Sequence, residues 1–299
     1  MEKKYRDLLD RLAGMPYAAP FSFQKNTTVG IGGDAPLALY PESEERLVAA
    51  LSILDEKKLP YCVLGRGSNV LVSDTGFSGV VVSTSRVGRV FTRGEMLHAE
   101  CGAGLEKVLS TAKRNGLGGI SFLCGIPASV GGAIYMNAGV KSGYIGERVY
   151  SVAVYSSGKR QELAAKDCGF SYKHTRFMDE PKSVILSARL RLERCAAVRI
   201  EEEYAAYKRA RANLPKGRSM GCVFKNPDNV SAGMLLEKVG MKGAECGGAA
   251  VSDKHANFII NRGGATAKDV VCLIERMKNE VFSETGIELM EEIRYIGEF

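Results

Sequence analysis

The chain has 299 residues, of which 45% are hydrophobic and 25% charged, so it has the length for about two domains and the composition for a sizeable core. Its apolar runs are too short to cross a bilayer, and its first residues interleave acids and bases. Both features argue against a membrane partner and favour a cytoplasmic protein. The formal net charge of +7 favours anionic ligands, but the basic residues are spread along the chain, which argues against a nucleic-acid partner.

Eight cysteines are scattered singly along the sequence, without a CxxC pair or a Cys/His cluster, and this pattern predicts that no metal is bound. We expect reduced thiols that serve mostly as small buried hydrophobic residues. The positions are Cys62, Cys101, Cys124, Cys168, Cys195, Cys222, Cys246 and Cys272.

The first half of the chain alternates predicted helices and strands. An amphipathic helix comes first, and Ser43 is expected to cap a second helix whose first turn carries Glu44 and Glu45. The predicted strands and the helix that follows them are Leu37–Tyr40, Tyr61–Leu64, Val70–Val72, Gly79–Ser83 and Leu105–Asn115.

The second half contains two longer strands, a charged helix and a mixed C-terminal part. Thr266 is expected to cap the last helix in a capping box with Asp269, and Gly286 ends that helix. The other predicted elements are strands at Val149–Tyr155 and Ser183–Leu192, helices at Val198–Ala212 and Ala232–Val239, a strand within Ala249–Ile260 and an alternating strand over Ile287–Ile296.

Two glycine-rich stretches are candidates for binding phosphate. The first, Gly65-Arg66-Gly67-Ser68-Asn69, lies between two short apolar strands, where glycine allows successive N–H groups to point at an anion. It is neither a Rossmann nor a Walker A loop, and a plain tight turn remains open. The second, Cys124–Gly139, is too apolar for an exposed loop and too rich in glycine for a core helix; it contains Gly125, Ser129, Gly131, Gly132 and Asn137.

Three further segments carry reactive or charged side chains. In Gly221–Pro227 the Cys222 thiol lies near Lys225 and Asn226, so it is either a proton donor or nucleophile or a plain buried thiol. The other two segments pair Glu292 with Arg294 on one predicted strand face, and place Lys173, His174 and Arg176 within Phe170–Phe177.

Taken in order, these segments resemble the UDP-N-acetylenolpyruvoylglucosamine reductases, flavoenzymes of bacterial peptidoglycan precursor synthesis. The resemblance runs from about Asn26 to Phe299. Between Val198 and Gly217 the chain has no room for the tyrosine-bearing substrate loop of the longer family members, so it resembles the shorter subtype. The matching segments are Asn26–Ala35, Leu64–Asp74, Gly125–Gly139, Phe170–Phe177, Gly221–Pro227 and Glu291–Phe299.

The resemblance implies an α+β fold with a PCMH-type (vanillyl-alcohol oxidase-like) FAD domain followed by an α+β substrate domain. The implied division is an N-terminal helical segment (1–25), the FAD domain (26–195), a connecting helix (196–218) and the substrate domain (219–299). NADPH would reduce a non-covalent FAD, and the flavin would pass hydride to C3 of the enolpyruvyl ether of a UDP-sugar. Protonation at C2 would then give UDP-N-acetylmuramate, with FAD supplying the redox chemistry. A monomer is expected.

Roles follow residue by residue. Cys222 falls where the family protonates C2, and Glu292 where it stabilises the enolic intermediate. The family's catalytic arginine follows a tyrosine, and here Lys173 occupies that position, with Arg176 as the possible substitute. The implied FAD contacts are Gly65, Arg66, Gly67, Ser68, Asn69, Gly125, Ser129, Gly131, Gly132 and Asn137, and the implied substrate contacts are Lys225, Asn226 and Arg294.

Two alternatives remain at this stage. One is another PCMH-type flavin oxidoreductase that acts on a small anionic substrate. The other is a basic nucleic-acid-binding protein, for which only Arg86–Arg93 and Tyr207–Arg218 are locally basic. The choice between NADPH and NADH, and that between Lys173 and Arg176, is also left open.

Overall fold

A computed structural model describes residues 1–180, 182–228 and 230–299. The helices are α1 (Lys3–Arg11), α2 (Phe23–Asn26), α3 (Glu44–Glu56), α4 (Leu105–Arg114), α5 (Val130–Tyr135), α6 (Arg176–Asp179), α7 (Ala197–Arg211), α8 (Ala232–Lys238) and α9 (Ala267–Thr285). The first ten strands are β1 (Tyr17–Ala18), β2 (Phe21–Ser22), β3 (Asp34–Ala35), β4 (Leu37–Leu39), β5 (Tyr61–Leu64), β6 (Val70–Val72), β7 (Val80–Ser83), β8 (Val90–Arg93), β9 (Met96–Glu100) and β10 (Leu117–Gly118). The others are β11 (Gly139–Val140), β12 (Gly143–Tyr144), β13 (Val149–Ser156), β14 (Lys159–Ala164), β15 (Val184–Arg191), β16 (Glu193–Arg194), β17 (Ser219–Cys222), β18 (Glu245–Cys246), β19 (Ala249–Val251), β20 (Phe258–Asn261) and β21 (Arg294–Ile296).

The chain forms two compact units, each built from several segments. The first unit contains Met1–Ala19, Leu37–Arg66 and Gly79–Ala212; the second contains Pro20–Pro36, Gly67–Ser78 and Asn213–Phe299. These units do not follow the division expected from the sequence, since two early segments pack with the C-terminal residues and α7 packs in the first unit. The division into functional domains stays a prediction.

The first unit combines a mainly parallel sheet with an antiparallel one. Strands β4 and β5 flank β7 in parallel, and β1 pairs with β4 in the order β1-β4-β7-β5. The antiparallel sheet has the order β14-β13-β15-β9-β8. Helix α3 begins at Ser43, whose Oγ accepts the Arg46 N–H at 3.3 Å, as predicted. Its buried face, with Leu47, Leu51 and Leu54, contributes to the core of this unit.

The second unit has its own core beneath a four-stranded antiparallel sheet in the order β17-β20-β19-β18. Helix α9 packs against this sheet and begins with the predicted capping box of Thr266 and Asp269. The carboxylate of Asp74 also accepts the N–H groups of Ala267 (2.7 Å) and Lys268 (3.2 Å). A carboxylate at this end complements the helix dipole.

The predicted strand over Ile287–Ile296 is wrong for most of its length. Only β21 forms a strand, paired in parallel with β6. Ile293 is 4% exposed and Tyr295 is 41% exposed, so the two do not share one face as the alternation predicted. The preceding residues bond to another backbone segment through an isolated bridge between Phe224 and Glu291, and an isolated bridge imposes no strand periodicity.

The expectation that all eight cysteines are unpaired is wrong for one pair. Cys246 and Cys272 form a disulfide, with their Cα atoms 6.6 Å apart and a separation of 26 positions in the sequence. The packing of β18 against α9 brings them together, and no spacing in the sequence indicates it. The cysteines outside this disulfide are Cys62, Cys101, Cys124, Cys168, Cys195 and Cys222.

Among the described residues no helix is both long and apolar enough to span a membrane.

Candidate active site

Cys222 ends strand β17 and is half-buried. Its partner on β20 is Phe258, and the next pair along the ladder is Ser219 with Ile260. Three residues of β17 therefore span the interval that two residues of β20 cover, which is a β-bulge. Gly221, within this bulge, has φ of 80°, a backbone conformation that glycine adopts without strain. The bulge sets the direction in which the Cys222 thiol leaves the sheet.

Glu292 lies beside the residue that follows Cys222. The Glu292 N–H donates to the Val223 carbonyl at 2.7 Å, and the Lys225 N–H donates to the Met290 carbonyl at 2.8 Å. The structure thus brings two of the predicted catalytic residues onto adjacent backbone segments of the second unit, although they lie 70 positions apart in the sequence.

Asn69 belongs to the same group. Its Nδ2 donates to the Glu292 carbonyl at 3.0 Å, and its own carbonyl accepts the Arg294 N–H at 3.0 Å. Asn69, predicted as an FAD contact, therefore holds the backbone on both sides of Ile293. Arg294, a predicted substrate contact, opens β21 and is exposed.

Of the other predicted substrate contacts, Asn226 has a structural role in addition to any contact with a ligand. Its Oδ1 accepts the Ala232 N–H at 3.0 Å, at the start of α8. Lys225 is half-buried, and its backbone is fixed by the bond to Met290.

A cleft of about 250 Å³ lies in the second unit and is lined by Lys216, Lys254, Arg262 and the carboxylate-bearing Asp253. Arg262 is also paired with Glu245. Ala250 and Ile260, which pair across β19 and β20, line it as well; the other lining residues are Pro215, Val251 and Ser252. Cys222 and Phe258 are directly paired, and paired residues share a face of the sheet. Ile260 is two residues from Phe258 on β20, so it lies on that face as well. The cleft is therefore a candidate for binding an anionic group on the Cys222 face.

The first glycine-rich loop has the properties of a phosphate-binding loop. Among the described residues, the N–H groups of Gly67 and Ser68 donate to no protein acceptor, and Gly67 is buried. A Cβ added to Gly65 would overlap the Ser129 hydroxyl, which belongs to the second glycine-rich stretch. Arg66 forms an ion pair with Glu106. Free backbone donors suit a pyrophosphate.

The second glycine-rich stretch contains a short helix, α5, where the sequence predicted none. Ser129 caps it by accepting the Gly132 N–H at 3.4 Å, and the Gly131 N–H donates to the Cys101 carbonyl at 2.7 Å. Close packing against the Cys101 backbone outweighs the low helix propensity of glycine. Gly125 precedes this helix and is exposed.

Asn137 connects this stretch to the segment that carries Lys173. The Asn137 Nδ2 donates to the Ser171 carbonyl at 2.7 Å, and its Oδ1 accepts the Gly146 N–H at 3.0 Å. Both ends of this buried amide are thus used within the protein. Ser171 and His174 form an isolated bridge, and Lys173 lies in the turn between them with φ of 52°. A left-handed conformation in a residue other than glycine is uncommon and is often found at functional sites.

Arg176, the possible substitute for Lys173, is occupied by structural contacts. Its Nε and Nη2 donate to the Glu180 carboxylate at 3.0 and 2.6 Å, and its Nη1 donates to the Asp167 carbonyl at 2.8 Å. The hydrogen bond with Glu180 raises the pKa of Arg176 and lowers that of Glu180. These contacts give Arg176 a structural role within its own segment.

Asn257 is the residue of this region that the sequence reasoning missed. It is 2% exposed, its Oδ1 accepts the Phe224 N–H at 2.9 Å, and its Nδ2 donates to the Phe224 carbonyl at 2.8 Å. The sequence predicts only a strand within Ala249–Ile260, and an asparagine directly before the apolar run Phe258–Ile260 is the sequence feature that could have indicated this residue.

Comparisons with known proteins agree with this arrangement. Residues 213–296 match the family model of the UDP-N-acetylenolpyruvoylglucosamine reductase C-terminal domain, and residues 35–159 match an FAD-binding domain. The chain is 41% identical over 275 residues to UDP-N-acetylenolpyruvoylglucosamine reductase of Moorella thermoacetica, covering 92% of this chain and 91% of the relative. It is 36% identical over 299 residues to that of Carboxydothermus hydrogenoformans, covering 99% of both. The crystal structure of the Thermus caldophilus reductase matches with a TM-score of 0.80 and 33% identity, covering 95% of this chain and 99% of that one. The expected α+β fold with an FAD-binding domain is confirmed.

Proposed function

Since this chain belongs to the UDP-N-acetylenolpyruvoylglucosamine reductase family, and is therefore an FAD-dependent oxidoreductase of peptidoglycan synthesis, we propose that Cys222, Glu292 and Lys173 carry its chemical step. The substrate is the enolpyruvyl ether of UDP-N-acetylglucosamine, and NADPH is the reductant. The observation that carries the proposal is the backbone pairing that sets Glu292 beside the residue after Cys222.

The residues present fit FAD. In the part of the chain that the structure describes, the backbone N–H groups of Gly67 and Ser68 have no protein acceptor, and such groups bind phosphate oxygens. The close approach of Gly65 to Ser129 would be lost with any larger residue. The remaining proposed contacts are Arg66, Asn69, Gly125, Gly131 and Gly132. Asn137, expected from the family as a contact, is assigned a structural role instead, because both ends of its amide bond to the protein backbone. FAD, when bound, supplies the hydride that is added to C3 of the enolpyruvyl group.

The protein's own task at C2 is to stabilise charge and deliver a proton. After addition at C3, negative charge develops on C2 and the carboxylate of the enolpyruvyl group. We assign to Glu292 the stabilisation of this enolic species and to Cys222 the donation of a proton from Sγ to C2. A thiol is more acidic than a hydroxyl and can supply that proton without a relay. The thiolate that remains is reprotonated from solvent.

Lys173 is proposed as the cation that meets the substrate. Its charge is retained relative to the arginine of the family, although the planar fork of a guanidinium is lost. Arg176 is assigned a structural role because Glu180 and the Asp167 carbonyl occupy its guanidinium.

The anionic remainder of the substrate is proposed to bind in the second unit. Lys225, Asn226 and Arg294 are the contacts expected from the family. The cleft offers the ammonium groups of Lys216 and Lys254 to an anionic group such as a diphosphate, while the guanidinium of Arg262 is paired with Glu245 and Asp253. A cytoplasmic monomer is the form proposed, since the nucleotide substrates are cytoplasmic metabolites.

The two half-reactions test the role of Cys222. Cys222→Ala should leave the reduction of flavin by NADPH within about two-fold of the wild type and abolish reoxidation by the enolpyruvyl substrate, because only the second step needs the proton. Cys222→Ser should retain substantial activity. Cys195→Ala, which removes another half-buried cysteine outside the disulfide, is the matched control. Equal loss of both half-reactions in Cys222→Ala would remove Cys222 from the mechanism.

A further inference from the structure

The three residues after Cys222 leave the sheet ladder and are held along both edges. On one edge, Val223 and Lys225 bond to Glu292 and Met290. On the other, the Val223 N–H donates to the Asn257 carbonyl at 2.9 Å. Val223, which directly follows Cys222, is therefore bonded to Glu292 on one edge and to Asn257 on the other. Both bonds determine where the backbone after Cys222 lies.

The side chain of Asn257 extends the second edge by one residue. Its amide accepts from the Phe224 N–H and donates to the Phe224 carbonyl, at 2.9 and 2.8 Å. This reciprocal pair is the hydrogen-bond pattern that a neighbouring strand would supply. The carboxamide of asparagine places a donor and an acceptor at the spacing of the C=O and N–H groups of one residue. Phe224 is 1% exposed, so no water replaces the amide without rearrangement.

We propose that Asn257 is a positioning residue for the reaction: it fixes the backbone of Phe224 and thereby the position of the Cys222 thiol relative to the Glu292 carboxylate. The inference rests on the proposed roles of these two residues. Asn257 touches neither the substrate nor the cofactor in this account. Its effect passes through Phe224 and Val223, whose carbonyl accepts the Glu292 N–H.

Asn261 provides a matched control at the end of β20, the strand that begins directly after Asn257. Its buried amide also bridges backbone groups, donating to the Val29 carbonyl at 2.9 Å and accepting the Gly263 N–H at 2.9 Å. Among the described residues, the side chain of Asn261 bonds to neither the Cys222 nor the Glu292 segment, so its loss should affect folding without moving the two catalytic groups.

The test compares Asn257→Ala and Asn261→Ala in the flavin-loaded enzyme. Asn257→Ala should slow reoxidation of the reduced enzyme by substrate about 100-fold, the cost of a misplacement of about 1 Å, and leave flavin reduction by NADPH within two-fold. Asn261→Ala should leave both rates within about three-fold of the wild type, even if its melting temperature falls as much as that of Asn257→Ala. Equal slowing of reoxidation in both variants, or no slowing in Asn257→Ala, would overturn the proposal.

Asn257→Asp provides a second variant should the alanine variant fail to fold. A protonated aspartic acid offers the same donor and acceptor as asparagine, whereas its carboxylate sets an oxygen against the Phe224 carbonyl. The rate of reoxidation, relative to wild type at each pH, should therefore be highest at low pH and fall as pH rises through the pKa of the new acid. His255, whose Nδ1 accepts the Asn257 N–H at 3.2 Å, titrates in both proteins. The rate of reoxidation is therefore divided by the wild-type rate at the same pH.

A ratio that is flat with pH while circular dichroism shows a folded protein would contradict the positioning role. The proposed function is tested separately: if substrate fails to reoxidise the wild-type enzyme, that function fails before any Asn257 variant is compared.

Discussion

The two regions that carry the proposed catalytic residues are built in opposite ways. Cys222 and Glu292 are attached to backbone that is hydrogen-bonded along both edges, by Asn257 on one side and Asn69 on the other. Lys173 is on a turn at φ of 52°, closed by bonds between Ser171 and His174. The Asn137 amide donates a hydrogen bond to the Ser171 carbonyl and so helps to hold that turn.

The difference follows from what each region has to do. A proton donor and a group that stabilises the enolic charge act on adjacent atoms, so their separation must be fixed to a fraction of an ångström. An ammonium on a flexible four-carbon side chain can adjust to its anion, so a small turn is sufficient support. Substitutions in the two regions should therefore differ in size and in kind.

The largest effect after loss of Cys222 is expected for Glu292→Gln. Because the carboxylate is assigned to a charge that exists only during the chemical step, its loss should slow reoxidation by substrate about 10²–10³-fold, or about 3–4 kcal/mol. Stopped-flow measurement of both half-reactions checks this, and flavin reduction should be unchanged. Reoxidation at the wild-type rate would rule out the role.

Lys173→Ala should lower kcat/KM about 10–100-fold, the value of a charge-assisted hydrogen bond. Arg176→Ala is expected to leave kcat/KM within about three-fold, since its guanidinium bonds to Glu180 and Asp167. Steady-state kinetics of the two variants decide between these cations, and the reverse order would assign the role to Arg176.

Lys173→Gly separates charge from backbone conformation. Glycine adopts the left-handed conformation without strain, so Lys173→Gly should be as inactive as Lys173→Ala but more stable than that variant by about 1 kcal/mol. Thermal or denaturant unfolding measures the stability of the two variants. A Lys173→Gly protein that is less stable than Lys173→Ala would contradict a left-handed turn at this position.

The smallest effect on catalysis is expected for Asn137→Ala. It leaves the Ser171 carbonyl and the Gly146 N–H without their partner, which should cost about 1–3 kcal/mol of stability and lower kcat/KM several-fold through the freed turn. Asn115→Ala is the control, because that exposed amide bonds only to the Thr111 carbonyl. A 100-fold loss in kcat/KM would mean that the turn needs the same fixed geometry as the Cys222 region.

Much of the local structure could be predicted because it depends on neighbours in the sequence. Helix caps at Ser43 and Thr266 form hydrogen bonds to residues a few positions away. Buried strands show as short apolar runs, whose ends can be read from neighbouring residues. The strand over Ile287–Ile296 failed because its first residues form isolated bonds to the Phe224 segment, and alternation carries no information about such bonds.

The sequence offers candidate residues for the site but not their geometry. Cys222 and Glu292 were assigned through the ordered motifs, while their pairing depends on a bulge at Gly221 and on the amide of Asn257. The disulfide between Cys246 and Cys272 was likewise hidden, since it depends on how a strand packs against a distant helix. Contacts between distant segments leave no periodic pattern in one sequence.

The most direct test of the central claim follows the flavin of the wild-type protein through one turnover. NADPH should bleach the yellow protein under anaerobic conditions, and the enolpyruvyl ether of UDP-N-acetylglucosamine should then restore the oxidised-flavin absorbance with formation of UDP-N-acetylmuramate. A protein that is bleached by NADPH and stays bleached when the substrate is added would contradict the account.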